Sequence, residues 1–144
     1  MNAQQSTTGG PQVGKTPSQA SILIVEDHVL MRTVLIDFVR QTYAKLVVVS
    51  AQNGAEALQQ MALRRPSVVL MDINLPDANG IDLIASCREI LAAVQVIVLS
   101  HSTGVAYEEH ARDAGACGYV VKDRIFSDLS PQIDAALARF GEND

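Results

Sequence analysis

Four short apolar runs in this chain each end in a side chain able to do polar chemistry. Ile22-Leu-Ile-Val25 leads into Glu26 and Asp27, and Pro66-Ser-Val-Val-Leu-Met71 leads into Asp72. Val96-Ile-Val-Leu99 leads into Ser100, and Gly118-Tyr-Val-Val121 into Lys122. If the runs are neighbouring parallel strands, three carboxylates, a hydroxyl and an ammonium converge on one edge of a sheet. Acids at 26, 27 and 72 repel one another unless a cation lies among them, and an all-oxygen donor set favours a hard ion such as Mg²⁺ over zinc. Mg²⁺ is commonly held by one or two carboxylates, several waters and a phosphate oxygen, so the set suits a phosphoryl group. Asp72 stands alone at its strand end, before the turn-rich Ile73-Asn-Leu-Pro-Asp-Ala-Asn-Gly80, and is the candidate nucleophile that would form an acyl phosphate. Lys122 has the charge to stabilise the phosphoryl oxygens, and Ser100 can donate a hydrogen bond to one of them. The bland alternatives are a turn-capping role for Asp72 and a helix-capping role for Glu26-Asp27.

These residues need a frame that delivers strand ends to one place. From Ser21 onward, short apolar runs alternate with helical-period segments, the pattern of a parallel sheet with crossover helices. Strands are expected near 22–25, 46–50, 67–71, 95–99 and 118–121. Leu30, Met31, Val34, Leu35, Phe38 and Val39 recur at three- and four-residue steps and predict the first helix. Asn53 with Glu56 predicts a capping box at the second, and Ile81, Leu83, Ile84 and Cys87 form the apolar face of the third, which opens after Gly80. Ser102 or Thr103 is the expected cap of the fourth, which stops at Ala114-Gly115. Ser130-Pro131 is the expected start of the fifth, with Ser127 an earlier option. The expected architecture is α/β: a single doubly wound, five-stranded parallel sheet with helices on both faces and the site beyond the carboxyl ends of its strands.

The rest of the chain narrows the function. Of its 144 residues, 48% are hydrophobic but only 4% aromatic, so the core must be aliphatic. A formal charge of -5 provides no basic field for a polyanion, so no nucleic acid is expected to bind this chain. No apolar run approaches the length of a membrane span and no leader pattern opens the chain, so a cytoplasmic protein without membrane contact is expected. Cys87 and Cys117 have no metal-ligand or Cys-x-x-Cys spacing and read as reduced thiols. His28, His101 and His110 read as surface groups. Residues 1–20 carry one charge, Lys15, and read as a flexible tail. Gly9-Gly-Pro-Gln-Val-Gly14-Lys15-Thr16 within it matches a phosphate-loop pattern, but without the strand before or the helix after that such a loop requires. Residues 21–140 are expected to form the folded unit and 141–144 a short C-terminal end with no second domain.

Met-Asp72-Ile-Asn-Leu-Pro76, Gly80, Val-Leu-Ser100 and Ala114-Gly-Ala-Cys-Gly-Tyr-Val-Val-Lys122 agree in identity and spacing with a known family. Residues 21–140 resemble the receiver domain of two-component response regulators, closest in pattern to those with helix-turn-helix outputs. The resemblance implies a flavodoxin-like strand order 2-1-3-4-5 and a phosphorylation-controlled signalling switch. By the same resemblance Asp72 accepts phosphate from a histidine kinase or phosphotransfer protein. Glu26, Asp27, Asp72 and the Asn74 carbonyl would hold Mg²⁺, Ser100 and Tyr119 would be the switch pair, and Lys122 would bind the phosphoryl group. It implies a downstream protein target or a DNA-binding output domain absent from this chain, and leaves open a homodimer through the fourth helix, last strand and fifth helix. Two positions depart from the pattern. His101 replaces a small residue after the switch hydroxyl, where its ring could partly cover the site. Asp123 follows Lys122 where many receivers have Pro, so a cis bond is not expected there. The competing readings are an unphosphorylated receiver-like interaction module, a nucleotide hydrolase using the phosphate-loop-like segment of the tail, and an aspartyl phosphatase. The last would carry a second Asp two residues after the nucleophile, where this chain has Asn74.

Overall fold

A computed structural model describes residues 20–143, so the tail with its phosphate-loop-like segment lies outside the described residues. Five strands alternate with five helices: β1 (Ser21–Val25), α1 (Val29–Thr42), β2 (Val47–Ala51), α2 (Gly54–Arg64), β3 (Val68–Asp72), α3 (Gly80–Ile90), β4 (Gln95–Ser100), α4 (Val105–Asp113), β5 (Gly118–Val121) and α5 (Ile125–Asn143). All strand pairs are parallel, in the spatial order β2-β1-β3-β4-β5, the order that the family resemblance implies. Apart from the edge strand β2, each apolar run is a strand with both of its faces covered. Leu23, Val25, Val69, Met71, Val96 and Val98 pack towards α2, α3 and α4, while Ile22, Ile24, Val68, Leu70, Ile97 and Leu99 pack towards α1 and α5. That alternation is the period of two expected of a pleated strand.

The register sets the site. Val25 lies opposite Met71, Asp72 opposite Leu99, and Ser100 opposite Val121. Glu26, Asp72, Ser100 and Lys122 therefore leave four adjacent strands in close succession at the same edge.

Local capping differs from expectation in instructive ways. The cap of α1 is His28, whose Nδ1 accepts the Met31 N–H at 3.4 Å, so neither acid of the Glu26-Asp27 pair has that duty. Asn53 caps α2 as expected, but Glu56 reaches back to the Gln52 N–H, one residue earlier than in a standard capping box. The cap of α4 is Gly104, with no side-chain bond, and not Ser102 or Thr103; the Ser102 N–H goes to Ser100 and its carbonyl to Tyr119. The expected stop of α4 is present, with Gly115 at φ 112°, in the left-handed region that favours glycine.

The start of α5 is the largest departure. A 3₁₀ turn over Lys122–Arg124 runs straight into the helix at Ile125, and Pro131 lies inside it. Ile125, Leu129, Ile133, Ala136 and Phe140 are all buried and keep one continuous apolar face across the proline, so tertiary burial outweighs the local cost of its missing N–H. Ser130 is not a cap, since its carbonyl and hydroxyl both contact the Tyr43 hydroxyl at 3.1 Å. That hydroxyl also donates to Asp134 at 2.6 Å, tying the end of α1 to α5. Burial and Asp134 push the phenol up to about 12.

Two glycines permit close approaches. At Gly118 an added Cβ would collide with the Gln132 side chain, whose amide accepts the Tyr119 N–H and donates to the Tyr119 carbonyl, both at 2.9 Å. At Gly80 an added Cβ would collide with the backbone carbonyl of Asp72 itself. Helix α3 thus begins directly against the end of β3. Gly80→Ala should lower stability by about 1–3 kcal/mol, the usual range for overpacking, in a urea titration.

Candidate functional site

Glu26, Asp27 and Asp72 each bring a carboxylate oxygen to within 4.8 Å of the others. Glu26 and Asp72 are buried and Asp27 is exposed. Lys122, only 8% exposed, extends from the end of β5 and places its Nζ 2.8 Å from Glu26 Oε1 and 3.1 Å from Asp72 Oδ1. Asp72 Oδ1 also accepts the Asn74 N–H at 3.2 Å, whereas no hydrogen bond is made to Oδ2 among the described residues. Glu26 Oε2 accepts the His28 N–H at 3.2 Å. The guanidinium of Arg32, one turn into α1, donates to the carbonyl of Glu26 at 2.9 Å and lies 3.4 Å from that of Asp27. It fixes the backbone of the acid pair, a role the sequence reading missed because it runs through carbonyls.

The electrostatics follow from this crowding. Burial, reinforced by the Asp72 charge, raises the Glu26 carboxyl above its ordinary 4.5 despite the ammonium beside it. For Lys122 burial works downwards, but the close contact with Glu26 and the two negative charges outweigh it, and the net shift is upwards from 10.5. The donor set fits a hard divalent cation on an observation of its own. Glu26 Oε1 is buried and, although 2.8 Å from the ammonium, receives no well-aligned hydrogen bond, so it keeps acceptor capacity for a cation.

Asn74 forms an isolated antiparallel bridge with Asn79, closed by Leu75 N–H to Ala78 O at 3.2 Å and Gly80 N–H to Ile73 O at 2.8 Å. In that pattern the peptide groups of Asn74 itself turn away from Asn79. Its N–H is bound by Asp72 at 3.2 Å, so the edge of Asn74 that faces away from Asn79 is the one beside the acid.

Ser100 is buried, and its Oγ accepts the Ser102 N–H at 3.0 Å. The Tyr119 ring is buried, and its hydroxyl donates to the Ser102 carbonyl at 2.8 Å. Both residues expected to act as a switch are therefore joined to one loop residue. His101 is exposed, and among the described residues no peptide bond is cis, the Lys122-Asp123 bond included.

Residues 22–134 match the family model for the response regulator receiver domain. This chain belongs to that family. The domain is the receiver of two-component systems. It is similar to the transcriptional regulatory protein PdtaR of Mycobacterium tuberculosis, 36% identical over 121 residues, covering 84% of this chain and 58% of the relative. It is also similar to the transcriptional activator protein ExaE of Pseudomonas putida, 37% identical over 101 residues, covering 70% of this chain and 47% of that protein. The chain thus spans roughly half the length of these curated relatives. Among solved structures, a LuxR-family two-component response regulator from Aurantimonas sp. SI85-9A1 superposes with a TM-score of 0.76 at 30% identity, covering 83% of this chain and 85% of that one. The response regulator TrrA from Thermotoga maritima, solved in complex with Mg²⁺-BeF, gives 0.72 at 25% identity, covering 82% and 99%. No helix among the described residues is long and apolar enough to cross a membrane.

Lys122→Met leaves two buried acids uncompensated and should cost about 3–5 kcal/mol at neutral pH in urea titrations. The raised Glu26 carboxyl stabilises the fold below its ordinary 4.5, a contribution lost as pH rises through the higher folded value. The raised Lys122 contributes fully below 10.5 and is lost only above it. The deficit of Lys122→Met should therefore shrink on acidification towards 4.5, as Glu26 takes up a proton.

Proposed function

We propose that this receiver is a phosphorylation-controlled switch in which Asp72 accepts a phosphoryl group with Mg²⁺ held by Glu26, Asp27, Asp72 and the Asn74 carbonyl. The observation that carries the reading is the three-carboxylate cluster with Lys122 between Glu26 and Asp72. A relative solved with Mg²⁺-BeF supports it. A bound divalent cation would screen the acids from one another and from the negative phosphoryl oxygens.

The chain's own groups supply the remainder. Asp72 Oδ2, the oxygen that Lys122 leaves free, attacks phosphorus. An O–P bond forms as the bond from phosphorus to the donor's leaving group breaks, the electron pair departing with that group. Lys122 already sits at Oδ1, where it can follow the charge on to the phosphoryl oxygens. The Ser100 hydroxyl accepts from Ser102 but donates to no acceptor among the described residues, so its proton is available to a phosphoryl oxygen. Moving there draws on Ser102, and through it on Tyr119. The domain acts as a phosphoacceptor and not as a turnover enzyme, since Asn74 offers no general acid where a phosphatase would need one.

The donor is a histidine kinase or phosphotransfer protein, and the output is a protein target or a DNA-binding domain outside this chain. Docking is supported by apolar side chains beside the acids. Val29 is 61% exposed, Leu30 72% and Phe126 73%, with Phe126 stacked edge-on against Phe38 at 5.7 Å. They follow Glu26-Asp27 and Lys122 within four residues, so a partner bringing phosphate to Asp72 meets them.

Incubation with Mg²⁺ and acetyl phosphate should add the mass of one phosphoryl group, and Asp72→Asn should abolish the gain. An unmodified wild-type mass would favour the unphosphorylated interaction module instead. Leu30→Asp should leave acetyl phosphate labelling intact but weaken transfer from a cognate kinase by about 2 kcal/mol, the scale of an interface hot spot, in radiolabel transfer assays.

A further inference from the structure

Asp77 stands five residues beyond Asp72, outside the acid cluster, at the tip of the loop between β3 and α3. Its carboxylate reaches the first turn of α2: Oδ1 accepts the Gly54 N–H at 2.7 Å and Oδ2 the Ala55 N–H at 3.0 Å. The helix's own cap, Asn53, serves only the Glu56 N–H, at 2.8 Å. Two of the donors that a helix cannot satisfy internally are thus met by an acid from another loop. The negative charge suits the positive end of the helix. These two bonds hold the Asp77 carboxyl below its usual range.

Gly54 makes the approach possible. A Cβ there would stand 3.1 Å from Leu83 Cδ1 and 3.2 Å from both Ala78 Cβ and Asp77 Oδ1. The loop is short and has few degrees of freedom. Its base is closed by the Gly80 to Ile73 and Leu75 to Ala78 bonds, and Pro76 fixes one backbone torsion between Asn74 and the tip. Asn74, whose carbonyl is one of the cation ligands proposed above, sits at that base with its N–H on Asp72. A tip released from α2 would transmit its freedom to that carbonyl across only Leu75 and Pro76.

We propose that Asp77 is a positioning residue for the cation site: by capping α2 from the β3–α3 loop, it holds the Asn74 carbonyl in register with Glu26, Asp27 and Asp72. This rests on the cation site proposed above. The test is calorimetric titration of Mg²⁺ into wild type, Asp77→Ala and the isosteric Asp77→Asn, paired with urea titrations without Mg²⁺. Asp77→Ala should weaken Mg²⁺ binding by about tenfold or more, the usual effect of removing a group that orients a metal ligand. Asp77→Asn, which keeps one acceptor oxygen, should fall between it and wild type. Stability losses with unchanged Mg²⁺ affinity in both variants would make Asp77 a helix cap only and overturn the proposal. Absence of Mg²⁺ binding by wild type would overturn the cation site together with it.

Discussion

A lysine ammonium drawn between two buried carboxylates is the contact on which the rest of this molecule turns. Lys122 follows β5, Glu26 follows β1 and Asp72 ends β3, so the ion pairs tie together strands separated along the chain by most of the domain. Such pairs are weak sources of stability, because desolvation offsets much of the attraction. Three carboxylates against one ammonium also leave the site short of positive charge. The arrangement is therefore poor as a stabilising device and well matched to a ligand that brings positive charge. The aliphatic sheet meets the cost: apart from the part-exposed β2 edge, its strands are buried on both faces and keep the five strand ends in fixed register.

Much of this was legible in the sequence, and for a definite reason. Apolar runs of four to six residues ending in Glu26, Asp72, Ser100 and Lys122 carry both the strand and its polar terminus in one local signal, and parallel pairing brings the termini together. What escaped the reading depends on contacts between distant segments. Helix α4 starts later than Ser102 or Thr103, good caps by type, would have it, and the Ser102 peptide groups are instead tied to Ser100 and Tyr119. Helix α5 starts at Ile125, before both Ser130-Pro131 and the earlier option Ser127: Pro131 resembles a first-turn residue, but the apolar face from Ile125 to Phe140 runs across it. Asp77 was hidden for a similar reason: an Asp beside Pro in a turn has an ordinary local explanation, and its bonds to Gly54 and Ala55 span more than twenty residues.

The path from the acids to the far face of the domain is also discrete. Ser100 holds the Ser102 N–H, the Ser102 carbonyl holds the Tyr119 hydroxyl, and the Tyr119 backbone is held by Gln132 of α5. Beside this path α4 buries a single residue, Ala111, and begins without a side-chain cap, so it is the helix with least to lose from a shift. In the proposed switch, a change at Ser100 thus meets a firm connection to α5 and a yielding one to α4.

The Gln132 amide has a second consequence. A strand at the end of a sheet ordinarily offers unpaired peptide groups on which another chain can add itself. Here the Tyr119 N–H and carbonyl are already matched by a side chain that mimics a neighbouring strand, and Gly118 leaves the room for it. The sheet is consequently asymmetric towards polymerisation: growth past β5 would have to evict a bonded amide, while the opposite border, β2, with Val47 half exposed, has no such guard among the described residues. Copies of the domain that meet across α4, β5 and α5 would meet as helices and side chains, not as a continued sheet.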